Sequence, residues 1–251
     1  MKIQLNRQKK GFTLIELMVV IAILASLAAV GYGPIMEHMN DGDRQQASSN
    51  LGQLQKMLFT FRQENGQYPC DATAENLRTE HADLDFGELT GSKSNAYLRQ
   101  LFYGSNTSET TFFAKHAGTR EPDSRIANGQ CLARGENAFA YVLRKESGNA
   151  EDAPGLRSVA DTPSGVPLAL SCVPSTANPI PGDKLYFNRD LFYAHAFMVR
   201  IDGSTVDLKD KLTEDAEDES RSVFTDNYSP FPESRRGNAT APNYVVVTPE
   251  L

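Results

Sequence analysis

From Phe12 to Tyr32 the sequence FTLIELMVVIAILASLAAVGY is apolar almost throughout, with Glu16 its only charge. As a helix, 21 residues at about 1.5 Å each span roughly 30 Å, the thickness of a bilayer's hydrocarbon core. Gly31-Tyr32-Gly33-Pro34 then predicts a weakened or kinked stretch, because proline removes a hydrogen bond and glycine carries an entropic cost. Asn40-Asp41-Gly42-Asp43 is a second weak point, read as solvated helix or a local break. It lacks the remaining ligands and terminal Glu of an EF-hand. Beyond it Ala47, Leu51, Leu54, Leu58 and Phe61 recur at spacings of four and three, the mark of one apolar helix face. Asn65-Gly66 predicts the stop, and Tyr68-Pro69 prevents resumption. A helix from Phe12 to about Glu64 would reach roughly 80 Å.

The remainder, Cys70 to Leu251, has the pattern of one α+β head with long loops. Asn95–Tyr103 (NAYLRQLFY) predicts a helix with Ser94 as its cap. Strands are expected at Ala138–Arg144, Val166–Cys172, Lys184–Phe187, Ala194–Ile201 and Tyr244–Thr248. Asp202-Gly203, between AHAFMVRI and TVDL, is a strong hairpin signal. Ala153–Pro167 and Ser175–Gly182, rich in Pro, Gly and Ser, are expected to be surface loops. No internal repeat is visible.

Charge sharpens this division. The chain carries −7 formally at pH 7. Residues 1–11 hold Lys2, Arg7, Lys9 and Lys10 and no acid, so everything after Gly11 sums to −11. An acidic body is a poor partner for phosphate backbones, which excludes nucleic acid as an expected ligand. A basic head before an apolar run fits retention on the cytoplasmic side of a membrane. Cys70, Cys131 and Cys172 all lie beyond the apolar run, so an exported head has one possible disulfide, in any of three pairings, and one thiol left over. No C-x-x-C spacing occurs, and His38, His81, His116 and His195 are scattered, so a structural zinc site is not expected.

Two local features stand out: the junction Lys9-Lys10-Gly11-Phe12, and Glu16 just inside an apolar helix. An intramembrane acid costs up to roughly 3 kcal/mol and marks a function with a partner. The run KKGFTLIELMVVIAILASLAA closely resembles the type III signal of type IV pilins and type II secretion pseudopilins. The short patterns ENGQYP and FMVRIDGS resemble pseudopilin-like heads. The resemblance implies cleavage by prepilin peptidase after Gly11, N-methylation of Phe12, and assembly through pairing of Glu16 with the terminal amine of a neighbouring subunit. It also implies a pilin-like α+β fold, in which a long N-terminal helix with a transmembrane first half packs on an antiparallel β-sheet head. The implied division is a leader at 1–11, a transmembrane and filament-core helix at 12–34, an amphipathic continuation at 35–66 and the head at 67–251. The implied partners are identical or related pilin subunits and an inner-membrane assembly platform. The precursor would sit in the bacterial inner membrane with its leader in the cytoplasm, and the product in a periplasmic or cell-surface filament. Independent chemistry agrees: a lone buried carboxylate is costly, one paired with a cation is tolerable, and the α-amine of Phe12 exists only after the cut.

Catalysis finds no support. Gly87–Ser94 (GELTGSKS) misses the phosphate-loop spacing, no G-x-S-x-G elbow occurs, and His195 lies inside an apolar strand pattern. No cofactor is expected. The acidic run Thr213–Ser220 (TEDAEDES) offers Glu214, Asp215, Glu217, Asp218 and Glu219 as weak calcium candidates; consecutive acids more often form a solvated face. The main expectation is a structural filament subunit. The alternative classes are a minor pilin whose head is an adhesin or tip binding module, and a membrane-tethered hydrolase. Processing is directly measurable. The intact mass of protein extracted from membranes is expected to match a chain starting at N-methyl-Phe12, whereas a terminus near Ala29 would mean ordinary secretory cleavage.

Overall fold

A computed structural model of the chain describes residues 13–104, 108–145, 155–162, 165–171, 177–178, 180–181, 187, 192, 195–208 and 244–251, without the side chains of 29–38 and 181. The chain divides into two compact units, Met1–Gly42 and Asp43–Leu251.

The long helix α1, Leu14–Asn65, contributes to both units, and it continues unbroken through 31–34 and 40–43. Neither expected weak point interrupts it, since the flanking turns supply enough i→i−4 bonds to carry the helix across. In the first unit the described part of α1 is apolar on every side. Leu14, Ile15, Leu17, Met18, Val19, Val20, Ile21, Ile23, Leu24 and Leu27 are 44–76% exposed. Among the described residues no helix is long and apolar enough to cross a membrane. The membrane span expected over 12–34 is therefore not shown; its described side chains stop at Ala28.

In the second unit the predicted stripe is the centre of the core. Ala47, Leu51, Leu54, Leu58 and Phe61 are all at most 3% exposed. Gly66, in the left-handed region at φ 76°, ends α1 by donating its amide to the Arg62 carbonyl at 2.8 Å. A side chain would be strained there, so glycine is the natural stop.

The sheet is antiparallel throughout, ordered β4-β7-β1-β3-β5-β6, with β2 also on β1. Its strands are β1 Ala140–Lys145, β2 Leu156–Arg157, β3 Pro167–Leu170, β4 Ile180–Pro181, β5 Phe197–Arg200, β6 Thr205–Asp207 and β7 Tyr244–Val247. In β1, Tyr141 pairs with Val247 on one side and Ala169 on the other. Residues of β1, β3 and β7 are buried in continuous runs, not alternately, as strands covered on both faces must be. The expected hairpin is β5–β6. Its turn has Gly203 at φ 92°, and the Asp202 carboxylate accepts from the Ser204 amide at 2.8 Å. On α1, Gln55 donates to the Arg200 carbonyl at 2.9 Å and Asn50 to the Phe113 carbonyl at 2.7 Å.

Several expectations are corrected. The helix near Asn95 splits into α3, Ser94–Arg99, and a 3₁₀ turn, Gln100–Tyr103. Lys93, not Ser94, is its N-cap residue. The Ser94 hydroxyl instead donates to the Phe139 carbonyl at 2.7 Å, because that residue is buried under the entrance to β1. A further helix, α2 (Asp71–Glu80), was not expected. The supposed loop at 153–167 contains β2 and the buried Val159 and Val166. The loop at 175–182 contains β4, paired with β7. The strand expected at Lys184–Phe187 lies outside the described residues apart from Phe187, which is buried. Cys70 and Cys131 are both free and buried, and since each of the three pairings needs one of them, the expected disulfide is not formed; Cys172 lies outside the described residues.

The core makes two predictions. Leu54→Ala should cost about 2–5 kcal/mol in denaturant unfolding, while Phe59→Ala, at an exposed position of the same helix, should stay within about 0.5 kcal/mol. Thiol titration should find Cys70 and Cys131 unreactive in the folded chain and both reactive after unfolding without reductant; a blocked pair would contradict their free state.

Candidate functional site

The amino-terminal turn of α1 is closed by its own side chains. The Thr13 amide and the Thr13 hydroxyl each donate to Glu16 Oε2 at 2.8 Å. In return the Glu16 amide donates to Thr13 Oγ1 at 3.3 Å. This is a reciprocal capping box, written in the sequence as T-x-x-E and not read there. It places a carboxylate where the helix has unsatisfied N–H groups and a partial positive charge. Farther along, the Ser26 hydroxyl donates to the Ile23 carbonyl at 2.8 Å, which hides a polar atom inside the apolar run. Over the described residues 13–28 the chain thus presents an exposed apolar run with one ionisable group, held at its first turn. Gly11 and Phe12 lie outside the described residues, as do Glu214, Asp215, Glu217, Asp218 and Glu219.

The head contains a carboxylate cluster that sequence reading missed. Glu109, Asp123 and Glu136 each bring one carboxylate oxygen within 4.8 Å of the others. Glu109 precedes the 3₁₀ turn Thr110–Phe112, Asp123 lies on the following loop, and Glu136 stands just before β1. Glu109 and Glu136 are buried and Asp123 is exposed. The Leu132 amide donates to Glu109 Oε1 at 2.6 Å. Glu136 Oε2 accepts from the Ala133 amide at 2.7 Å, and its Oε1 meets Arg120 Nη2 at 2.9 Å. Glu109 Oε2 is buried without a partner. Burial, with Glu136 and Asp123 adding negative potential, pushes the Glu109 carboxyl above the usual carboxylate range. Burial likewise pushes up the nearby Cys131 thiol, so it stays protonated. A signal for this cluster was absent from the sequence, since its members are more than ten residues apart.

His195 resolves as a structural residue. It is buried just before β5, and its Nδ1 lies 2.9 Å from Asp207 Oδ2 on β6. A second buried polar group, Ser94, Asn95 and Asn137, ties α3 to the start of β1. Asn137 Nδ2 donates to Ser94 Oγ at 2.8 Å, and Asn95 Nδ2 donates to the Leu132 carbonyl at 2.8 Å. Among the described residues neither arrangement joins a nucleophile to a base.

Comparison with known proteins places the first of these features. Residues 6–32 match the family described as the prokaryotic N-terminal methylation motif. The chain is 37% identical over 65 residues to the type II secretion system core protein G of Dickeya chrysanthemi, covering 26% of this chain and 42% of that protein. It is 33% identical over 96 residues to the protein of the same name from Vibrio cholerae serotype O1, covering 38% of this chain and 64% of that protein. The fimbrial protein EcpC of Eikenella corrodens is 32% identical over 73 residues, covering 29% of this chain and 48% of that protein. The chain thus spans less than two thirds of the curated relatives it matches. No solved structure matches it. The amino-terminal segment is thus similar to those of type II secretion core proteins and of a fimbrial protein, and it carries the methylation motif.

Proposed function

We propose that this chain is a structural subunit of a type II secretion-type pseudopilus or a type IV pilus. The observation that carries the reading is the start of α1: an exposed apolar run, described over residues 13–28, whose one charge is the capped carboxylate of Glu16. Such a surface is stable only when covered by lipid or by other apolar helices, each fully buried Leu or Ile side chain being worth roughly 1.5–3 kcal/mol. In this reading 12–34 spans the inner membrane in the precursor, and prepilin peptidase cuts after Gly11 and methylates Phe12. The mature helix then packs with identical or related subunits at an inner-membrane platform, and the product is a periplasmic or surface filament. The names of the relatives favour the pseudopilus.

Glu16 then has two tasks that one substitution separates. Within the subunit it is the third residue of a capping box, a place glutamine also fills. Between subunits its charge would meet the methylated amine of Phe12, which glutamine cannot neutralise. Glu16→Gln should therefore keep processing, membrane accumulation and head folding, yet abolish filaments, because an unpaired charge in the assembled core costs roughly 3–5 kcal/mol. The readout is sheared filament yield beside mature protein in the membrane fraction. Wild-type filament yield from Glu16→Gln would show that Glu16 is a helix cap alone.

A further inference from the structure

We propose that Glu109, Asp123 and Glu136 form a binding site for one divalent cation of calcium's size, separate from the acidic run at 213–220. The donors are all carboxylate oxygens, the choice of hard cations over zinc or copper. Oxygens on opposite sides of a calcium ion, each about 2.4 Å from it, are about 4.8 Å apart. The three carboxylates meet that limit, their nearest oxygens lying within 4.8 Å of one another. The independent observation is Glu109 Oε2, a buried acceptor with no donor in a residue only 1% exposed. Native interiors rarely leave such an atom unsatisfied.

Charge points the same way. Three carboxylates face two guanidiniums: Arg120 holds Glu136 Oε1 at 2.9 Å, and the more exposed Arg125 lies 3.8 Å from Asp123 Oδ2. The group keeps a net negative charge, which a divalent ion would offset. Asp123 is exposed, so an ion can enter from its side and keep water ligands there. Bound, it would clasp the loop carrying Asp123 to the turn after Glu109 and to the entrance of β1. This inference is independent of the filament reading.

The test uses the full chain in detergent, stripped with EDTA and titrated with calcium chloride by calorimetry and thermal melting. With three carboxylates and two competing arginines, a dissociation constant of about 10⁻⁴–10⁻³ M is expected, the range of extracellular calcium modules. A tenfold excess over that value should raise the melting temperature by roughly 3–6 °C. Asp123→Asn, at an exposed position, should melt like wild type in EDTA but bind one calcium ion fewer. Glu109→Gln should likewise lose the ion. Three results would each overturn the site. One is no calcium response up to about 10 mM. Another is a stoichiometry unchanged in both variants, which would put the ion elsewhere. The last is a Glu109→Gln chain that melts higher in EDTA while wild type ignores calcium, which would mean that the acids share a proton.

Discussion

The head depends on burying one stripe of one helix. Ala47, Leu51, Leu54, Leu58 and Phe61 lie on a single face of α1 and are at most 3% exposed. The strands around them are short, two to six residues, and would not persist as an isolated sheet. They gain their stability by covering that stripe, and the helix gains its own by being covered. Polar anchors from the same helix, Gln55 to Arg200 and Asn50 to Phe113, set the register of what covers it. In the first unit the same helix shows no comparable division into apolar and polar faces: Leu14, Ile15, Leu17 and Met18 are all exposed. A helix that is hydrophobic all round requires neighbours. Under the proposed function they are lipid or the helices of other subunits.

In the proposed filament, Glu16 is where intrachain and interchain demands meet. A carboxylate has about four lone-pair sites, so one that accepts from the Thr13 amide and hydroxyl retains capacity for a further cation. The cap fixes the first turn before any partner arrives, which lowers the ordering cost of docking. If Glu16 also pairs between subunits as proposed, the two roles are cooperative for that reason.

Local periodicity and turn chemistry were legible in the sequence; long-range convergence was not. The stripe on α1, the stop at Gly66, the Asp202-Gly203 hairpin and the apolar cores of β1, β3, β5 and β7 all follow from patterns within about ten residues. The helix α2 escaped because it buries only Thr73, Ala74 and Leu77, too few for a clear apolar face. The two-residue strands β2 and β4 are too short to carry a period. Gln100 is buried only because Thr73, Cys70 and Leu89 are brought to it, its Nε2 donating to the carbonyls of Cys70 and Leu89 at 3.0 and 2.8 Å. The carboxylate cluster is of the same kind. For Glu16 the situation was reversed: its chemical oddity was plain in an apolar run, while the Thr13 spacing that makes it a cap went unread.

The place of β7 carries a kinetic consequence. This strand lies inside the sheet, between β1 and β4, and its four residues pair with Tyr141–Arg144 from roughly 100 residues earlier. Closing so large a loop is slow, because its entropy is lost before the pairing is gained. Until that closure, the flank of β1 that β7 covers is an open edge able to recruit any extended strand. The hazard of this topology therefore lies in the interval between synthesis and closure, when a half-made sheet depends on dilution or on a chaperone to stay soluble.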